Sequence, residues 1–144
     1  KLDNNYLDNL KLKSYLDEGN YIIKDLSFNW NRALKINVND IQIINELDGI
    51  KFMGEITFNF DDLEKFYSYY QVKKSHRQKL KKVKLDFIYE LNKEKIRLDN
   101  LIIDDVTNTS FNDFLTNFNS KEKTVFNKVT FRNFVKDFFS TYAG

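Results

Sequence analysis

The feature of this sequence that most limits its fold is the alternation of apolar and polar residues along most of the chain. The clearest case is Ile50–Phe60, where every second residue is apolar or glycine. Because successive side chains of a strand point to opposite faces, this pattern predicts a strand with one apolar face. Asp48-Gly49 in front of it predicts a hairpin, and Gly54 within it predicts a bend or a close backbone approach.

The alternation is irregular at three places. Lys24 breaks the second alternating segment, which predicts a strand end or a bulge there, while Ile22 is still expected to share a face with Leu26. The alternation changes phase at Asn39-Asp40, which predicts a turn or a bulge, and again at Asp99-Asn100. One inserted residue exchanges the two faces of a strand. With them, the sequence predicts about six antiparallel strands.

Three segments have helical rather than strand spacing. The first half of Asp61–Lys84 repeats its apolar residues at helical intervals, with Asp61 placed as the N-cap of a helix and Asp62 as an acid of its first turn. Two further helices are predicted at the C-terminal end, around Phe111–Phe118 and Phe131–Tyr142, with Thr130 as the cap of the last. The fold class is therefore α+β: a twisted antiparallel sheet with one central and two C-terminal helices, forming a single domain over residues 1–144.

The aromatic stripe of the last predicted helix, Phe131–Tyr142, must be covered by something. The sheet of the same domain, a membrane or a partner could cover it. Packing on the sheet is the preferred expectation, because a stripe this aromatic most often belongs to the core of its own domain.

The residue inventory argues against catalysis. The chain has 144 residues, a net charge of +2, no cysteine and a single histidine, His76, which lies in a lysine-rich run. The paired acids Asp61-Asp62 and Asp104-Asp105 fit helix caps and turns, since adjacent carboxylates on a strand or cap point apart. No familiar catalytic or nucleotide-binding motif is present. We expect neither an enzyme nor a cofactor or metal site.

A basic run, residues 73–84, follows the central helix. It allows three interpretations: a solvated face, a surface for anionic lipid headgroups, or a nucleic-acid surface in which neighbouring tyrosines stack on bases. The candidate headgroup ligands are Lys73, Lys74, Arg77 and Lys81.

The apolar strand faces allow two interpretations. Helices can cover them to form a core, or part of the face can stay open to lipid acyl chains, whose transfer from water gains about 25 cal/mol per Å². Periodicity alone does not separate the two. The candidate inner-face residues are Leu26, Phe28, Trp30, Phe52, Ile56, Phe58, Phe87 and Tyr89.

The order of several segments resembles the C-terminal region of the AsmA family of bacterial envelope proteins, of the type found in AT-rich alphaproteobacteria. The likeness is carried mainly by the last hundred residues, with LSFNW at 26–30 as a looser match. Its segments are LDGIKFMGEITFNF (47–60), FYSYYQ (66–71), RQKLKKVKLDFIYELNKEKIRLDNLIIDD (77–105) and NKVTFRNFVKDFFSTYAG (127–144).

The resemblance implies a C-terminal piece of a larger periplasmic β-groove protein. Such proteins are held in the inner membrane by an N-terminal helix, resemble bridge-like lipid-transfer proteins and are linked to phospholipid movement toward the outer membrane. The anchor would lie outside this chain, and no catalytic residue or cofactor is implied. Two other functions remain open: a structural cap whose terminal helix docks an envelope protein, and nucleic-acid binding through residues 73–84, which we do not expect.

Overall fold

In the part of the chain that the structure describes, seven strands follow one another across a single antiparallel sheet in the order in which they occur in the chain. The computed structural model of the protein describes residues 7–18, 20–107, 109–122 and 127–144, so residues 1–6 of the expected domain lie outside the described ranges. The strands are β1 (Leu7–Asp17), β2 (Asn20–Trp30), β3 (Leu34–Glu46), β4 (Gly49–Phe60), β5 (Lys82–Glu90), β6 (Lys95–Ile103) and β7 (Val106–Thr107).

Three α-helices accompany the sheet within these described ranges, which confirms the predicted α+β class. They are α1 (Leu63–Tyr70), α2 (Asn112–Asn119) and α3 (Lys128–Ala143). Short 3₁₀ turns occur at Lys74–His76 and Thr109–Phe111. The strand beyond the six predicted, β7, is only two residues long, too short for its period to be recognised in the sequence.

Two predicted helix caps are displaced by one or a few residues. The cap of α1 is Asp62, whose carboxylate accepts a hydrogen bond from the backbone N–H of Lys65 at 2.9 Å, while Asp61 lies outside the helix. The cap of α3 is Asn127, and Thr130 is the reciprocal partner of its capping box. Thr130 was therefore the wrong cap, although it belongs to the same motif.

The irregularity at Lys24 is a bulge in β2. The register between β1 and β2 shifts between Lys13 and Ser14, and Lys24 is the unpaired residue opposite that step. Because the bulge exchanges the faces, Ile22, the pairing partner of Gln42, lies on the polar face. The expectation that Ile22 shares a face with Leu26 is wrong, since a bulge between the two inverts their parity.

The other two phase changes are also bulges. The β3–β4 register shifts around Asp40 and the β5–β6 register shifts around Asn100, and both residues have a left-handed φ of 51°. Asn and Asp tolerate this conformation better than most residues. The bulge at Asp40 keeps Ile41 and Ile43 on the same face as Val38, so the apolar face is continuous along β3.

The helices and the apolar face of the sheet together form the core. Phe139 of α3 is 1% exposed and meets Phe66 and Tyr67 of α1 at ring-centroid distances of 6.2 and 4.8 Å. Val135 and Phe138 belong to the same buried cluster as sheet residues. The aromatic stripe of the terminal helix therefore packs within its own domain, as preferred from the sequence.

Candidate functional site

All eight candidate inner-face residues lie on one face of the sheet. The register aligns Trp30 with Leu34 and Phe60, and Phe52 with Ile43 and Tyr89. Directly paired residues of antiparallel strands share a face, and alternation extends that assignment along each strand. Each of the eight is partly buried; they are Leu26, Phe28, Trp30, Phe52, Ile56, Phe58, Phe87 and Tyr89.

The helices cover only part of this face. A helix-covered region contains Trp30, Ile56, Phe58 and Phe87, which pack against the buried core beneath the helices. The remaining four candidates belong to no part of that core. Together with neighbours on β1 to β3 they form what we call the open face: Leu12, Leu16, Tyr21, Leu26, Phe28, Ile43, Phe52 and Tyr89.

The open face becomes more exposed toward the β1 edge of the sheet. Phe52 and Tyr89 lie side by side with ring centroids 6.3 Å apart and are partly buried. Tyr21 on β2 is 45% exposed, and Leu16, its partner on β1, is 72% exposed. The sequence predicted four residues of this face, Leu26, Phe28, Phe52 and Tyr89. The division into covered and open parts follows only from where the helices pack.

Gly54 sets the shape of the middle of the face. A Cβ atom at this position would lie 3.1 Å from the carbonyl oxygen of Asn39 and 3.2 Å from the ring of Phe87. It would also lie 3.3 Å from Cα of Ile41, directly after the β3 bulge. The close approach predicted from a glycine within a strand is confirmed, and it lets the bulge and the Phe87 ring pack over β4.

The basic run does not continue α1. Gln71 ends the helix with a left-handed φ of 57°, and the chain then passes through a 3₁₀ turn and an extended stretch into β5. The hydroxyl of Tyr67 donates a hydrogen bond to the backbone carbonyl of Gln78. At the far end, the Asp104 carboxylate accepts hydrogen bonds from two backbone N–H groups of the run, Lys81 and Lys82, both at 2.8 Å. The loop is thus held at both ends.

Arg77 is engaged inside the fold rather than presented to solvent. Its Nη1 lies 2.8 Å from Oε2 of Glu64, and its Nε donates to the carbonyl of Val72 at 3.2 Å. The guanidinium also lies 5.5 Å from the ring centroid of Tyr67. These contacts give Arg77 a structural role that its place in a lysine-rich run could not indicate.

The other candidate headgroup ligands are exposed. Lys73, Lys74 and Lys81 form no ion pair with any carboxylate in the part of the chain that the structure describes. By contrast, Lys82 pairs with Asp105, and Lys84 pairs with Glu55 on the polar face of the sheet. These three candidates, and the exposed Lys79 of the same run, are therefore available to an external anion.

The fold adds a feature beside this run that sequence analysis missed. The single tryptophan, Trp30, stacks on Tyr70 at 5.5 Å and meets Tyr69 edge-on at 4.8 Å. Nζ of Lys128, at the start of α3, lies 5.9 Å from the ring centroid of Tyr69. Arg132, one turn later, donates to Gln71 at 3.2 Å. These residues are far apart in sequence, and no local pattern links them.

Metal-binding clusters and membrane-spanning helices are absent from the described residues. No group of three or more His, Asp or Glu side chains within them converges to hold a metal ion. No helix among them is both long enough and apolar enough to cross a bilayer.

No model of a known protein family, no curated protein and no solved structure matches this chain. The candidate site is thus a broad apolar face, partly open, with exposed lysines near its helix-covered end.

Proposed function

We propose that this chain is the non-catalytic, C-terminal domain of an AsmA-like envelope protein that carries phospholipid acyl chains along a β-groove. The observation that carries the proposal is the open face, an apolar surface shared by β1 to β5 that no described helix covers. Large contiguous apolar surfaces on soluble proteins are usually occupied by a ligand or a partner. This surface is built mainly from apolar strand side chains, and the hydroxyl of Tyr21 is satisfied by donating to Ser14 at 2.7 Å. Such a surface suits hydrocarbon, which needs no hydrogen bonds.

The two edges of the sheet support a position at the end of a longer groove. At the β6 edge, Asn119 of α2 accepts a hydrogen bond from the N–H of Leu98 and donates one to its carbonyl, both at 2.9 Å. Its side-chain amide replaces the next strand at that point. The short β7 pairs with Ile102 and Ile103 farther along. Since strand and side chain satisfy this edge, it is blocked against further pairing.

The β1 edge has the opposite character. All residues of β1 are exposed, including Leu10 at 70% and Leu12 at 55%. An exposed strand of this length with apolar side chains invites pairing with another strand. In the proposal, further strands of the groove pair with β1 and continue the open face. The protein lies in the periplasm, and a segment outside this chain anchors it in the inner membrane.

In this proposal the exposed lysines bind the phosphate headgroups. Lys73, Lys74 and Lys81 are free to do so, and each basic residue near an anionic membrane surface contributes about 1 kcal/mol. Arg77 instead holds the loop that presents them, through Glu64.

The proposal is tested by photo-crosslinking within the groove. A photoreactive amino acid at Phe52 or Tyr89 should crosslink to phospholipid when the protein is isolated from cells with an intact envelope. The control is Thr57 of β4, whose pairing with Asn37 and Lys84 places it on the polar face. Crosslinks of equal yield at Thr57, or lipid-free protein at all three positions, would refute the proposal.

A structural cap that docks an envelope protein is the second candidate. It is favoured by the blocked β6 edge and by the packing of α3 over one end of the sheet. Because the apolar stripe of α3 is used inside the domain, a partner would meet its polar side, which includes Asn133 and Asp137. Charge-changing substitutions at these two positions that abolish capture of an envelope protein, with lipid crosslinking at Phe52 absent, would favour this candidate.

Nucleic-acid binding has less support. Three of the seven cations of the basic run, Arg77, Lys82 and Lys84, are paired with carboxylates. A binding constant for RNA or DNA that falls steeply with salt would restore this interpretation.

A further inference from the structure

The core contains a cavity between the sheet and α3. It has a volume of about 80 Å³, with strand residues such as Ile36, Phe58 and Leu85 on one side and Phe134, Val135 and Phe138 of α3 on the other. Tyr70 is the single lining residue with a polar side-chain atom, and the surface that it shares with its neighbours is almost entirely apolar. Water in a cavity needs two to four polar partners, so this site is unsuited to it.

The residues that line the cavity are not equally buried. Ile36 and Phe58 on the strands and Phe134 on α3 are only partly buried, whereas Leu85 and Phe138 are buried. The cavity is therefore more accessible beside Ile36 and Phe58 than beside Leu85 and Phe138, and we call the former its accessible side.

The accessible side adjoins the open face. Phe28 of the open face pairs with Ile36, and Ile36 pairs with Phe58, so one row of side chains leads from β2 into the cavity. A hydrocarbon chain lying beside Phe28 can continue along this row beneath α3 without crossing a polar group.

We propose that this cavity receives the methyl end of one unbranched acyl chain whose remainder lies on the open face. An apolar cavity of about 150 Å³ accepts benzene. A methylene group is about the size of a water molecule, which occupies roughly 30 Å³. The cavity under α3 therefore has room for about two or three methylene groups. Each methylene group that enters should tighten binding about fourfold. This inference rests on the proposed lipid-binding function of the open face and adds where a bound chain ends.

Trp30 provides the test, because it is the single tryptophan and stacks on Tyr70, which lines the cavity. The probes are dodecanoates brominated either at the terminal carbon or beside the carboxylate, used below the concentration at which they form micelles. Bromine quenches tryptophan fluorescence at short range. The terminal bromine should quench Trp30 several-fold more strongly than the bromine beside the carboxylate.

Cavity-filling variants provide the control. Val135→Phe should remove the advantage of the terminal bromine and weaken dodecanoate binding about four- to fifteen-fold, which corresponds to one or two methylene groups. Leu101→Phe fills the cavity from the sheet and replaces Val135→Phe if that variant loses its cooperative thermal transition. Equal quenching by the two probes in the unchanged protein, or unchanged binding by a folded filled variant, would overturn the inference while leaving the open face as a lipid site. No binding of either probe would count against the proposed function as well.

Discussion

At the scale of single residues, Tyr67 and Tyr70 connect the core to the pH dependence of stability. Burial raises the pKa of each hydroxyl to about 12, from an ordinary value of 10.0. The folded state therefore holds these protons more tightly than the unfolded state. The stabilisation is complete below pH 10 and is lost as the pH rises from 10 toward 12, because the unfolded chain ionises first.

We expect the free energy of unfolding to fall by on the order of 1–3 kcal/mol over that interval. Tyr70→Phe keeps the ring contacts with Trp30 and Phe131 but removes one of the two ionisable groups. Urea unfolding at a series of pH values should show a shallower alkaline loss for this variant. Identical pH profiles for the two proteins would mean that the Tyr70 hydroxyl is not desolvated by folding.

Replacing Gly54 should destabilise the sheet, because a side chain at this position would be too close to its neighbours. Gly54→Val should lower the free energy of unfolding by about 2–3 kcal/mol, because the added carbons meet the Asn39 carbonyl and the Phe87 ring. The matched control is Thr57→Val on the same strand and the opposite face, which should change stability by less than about 0.5 kcal/mol. Thermal or urea unfolding measures both, and equal effects would contradict the close approach at Gly54.

At the scale of elements, α2 takes the place of a neighbouring strand beside β6, because its Asn119 satisfies backbone groups of that strand. Asn119 at its C-terminal end binds both backbone groups of Leu98, and Phe118 beside it is buried in the core. The helix thus anchors itself by one apolar and one polar residue while blocking the β6 edge. The two edges of the sheet therefore differ: α2 covers part of β6, whereas no described element covers β1 and its leucines are exposed.

Asn119→Ala should therefore destabilise the protein by about 1–3 kcal/mol, since it leaves the partly buried N–H and carbonyl of Leu98 without their partner. Asn117→Ala on the exposed side of α2 is the matched control and should have little effect. Urea unfolding gives the two values. If the variants unfold alike, the side-chain amide contributes nothing to the closure of this edge.

At the scale of the whole molecule, stability should form a gradient across the sheet. Strands β5 and β6 contribute Val83, Leu85, Leu98 and Leu101 to the buried core, whereas β1 contributes no buried residue. Local opening has a lower free energy where few apolar groups are buried. The gradient places the most easily opened part of the sheet at the edge proposed to meet further strands.

Amide hydrogen exchange followed by mass spectrometry should show this gradient directly. Peptides from β1 should exchange fastest among the strands β1 to β6, and peptides from β5 slowest. Uniform protection across β1 to β5 would contradict it, because it would mean that something other than the described helices stabilises the β1 side.

Sequence alone predicted six of the seven described strands, the three helices, the phase changes at Asp40 and Asn100, and the face on which the eight candidate residues lie. These features are local: alternation has a period of two, helices repeat every 3.6 residues, and Asp40 and Asn100 mark phase changes in their own strands. Two wrong predictions are local as well: a bulge two residues away puts Ile22 on the opposite face, and the cap of α3 lies three residues before Thr130. A bulge or a cap is set by hydrogen bonds that a residue pattern locates only approximately.

Only the tertiary structure decided which part of the apolar face is core and which part is open. That division depends on where α1 and α3 come to rest, and the contact of Phe66 with Phe139 joins residues far apart in the chain. The same is true of Arg77, which a charge pattern treats as one more cation but which the fold pairs with Glu64. Periodicity states which side chains share a surface, whereas the packing of distant elements decides whether that surface meets protein or solvent.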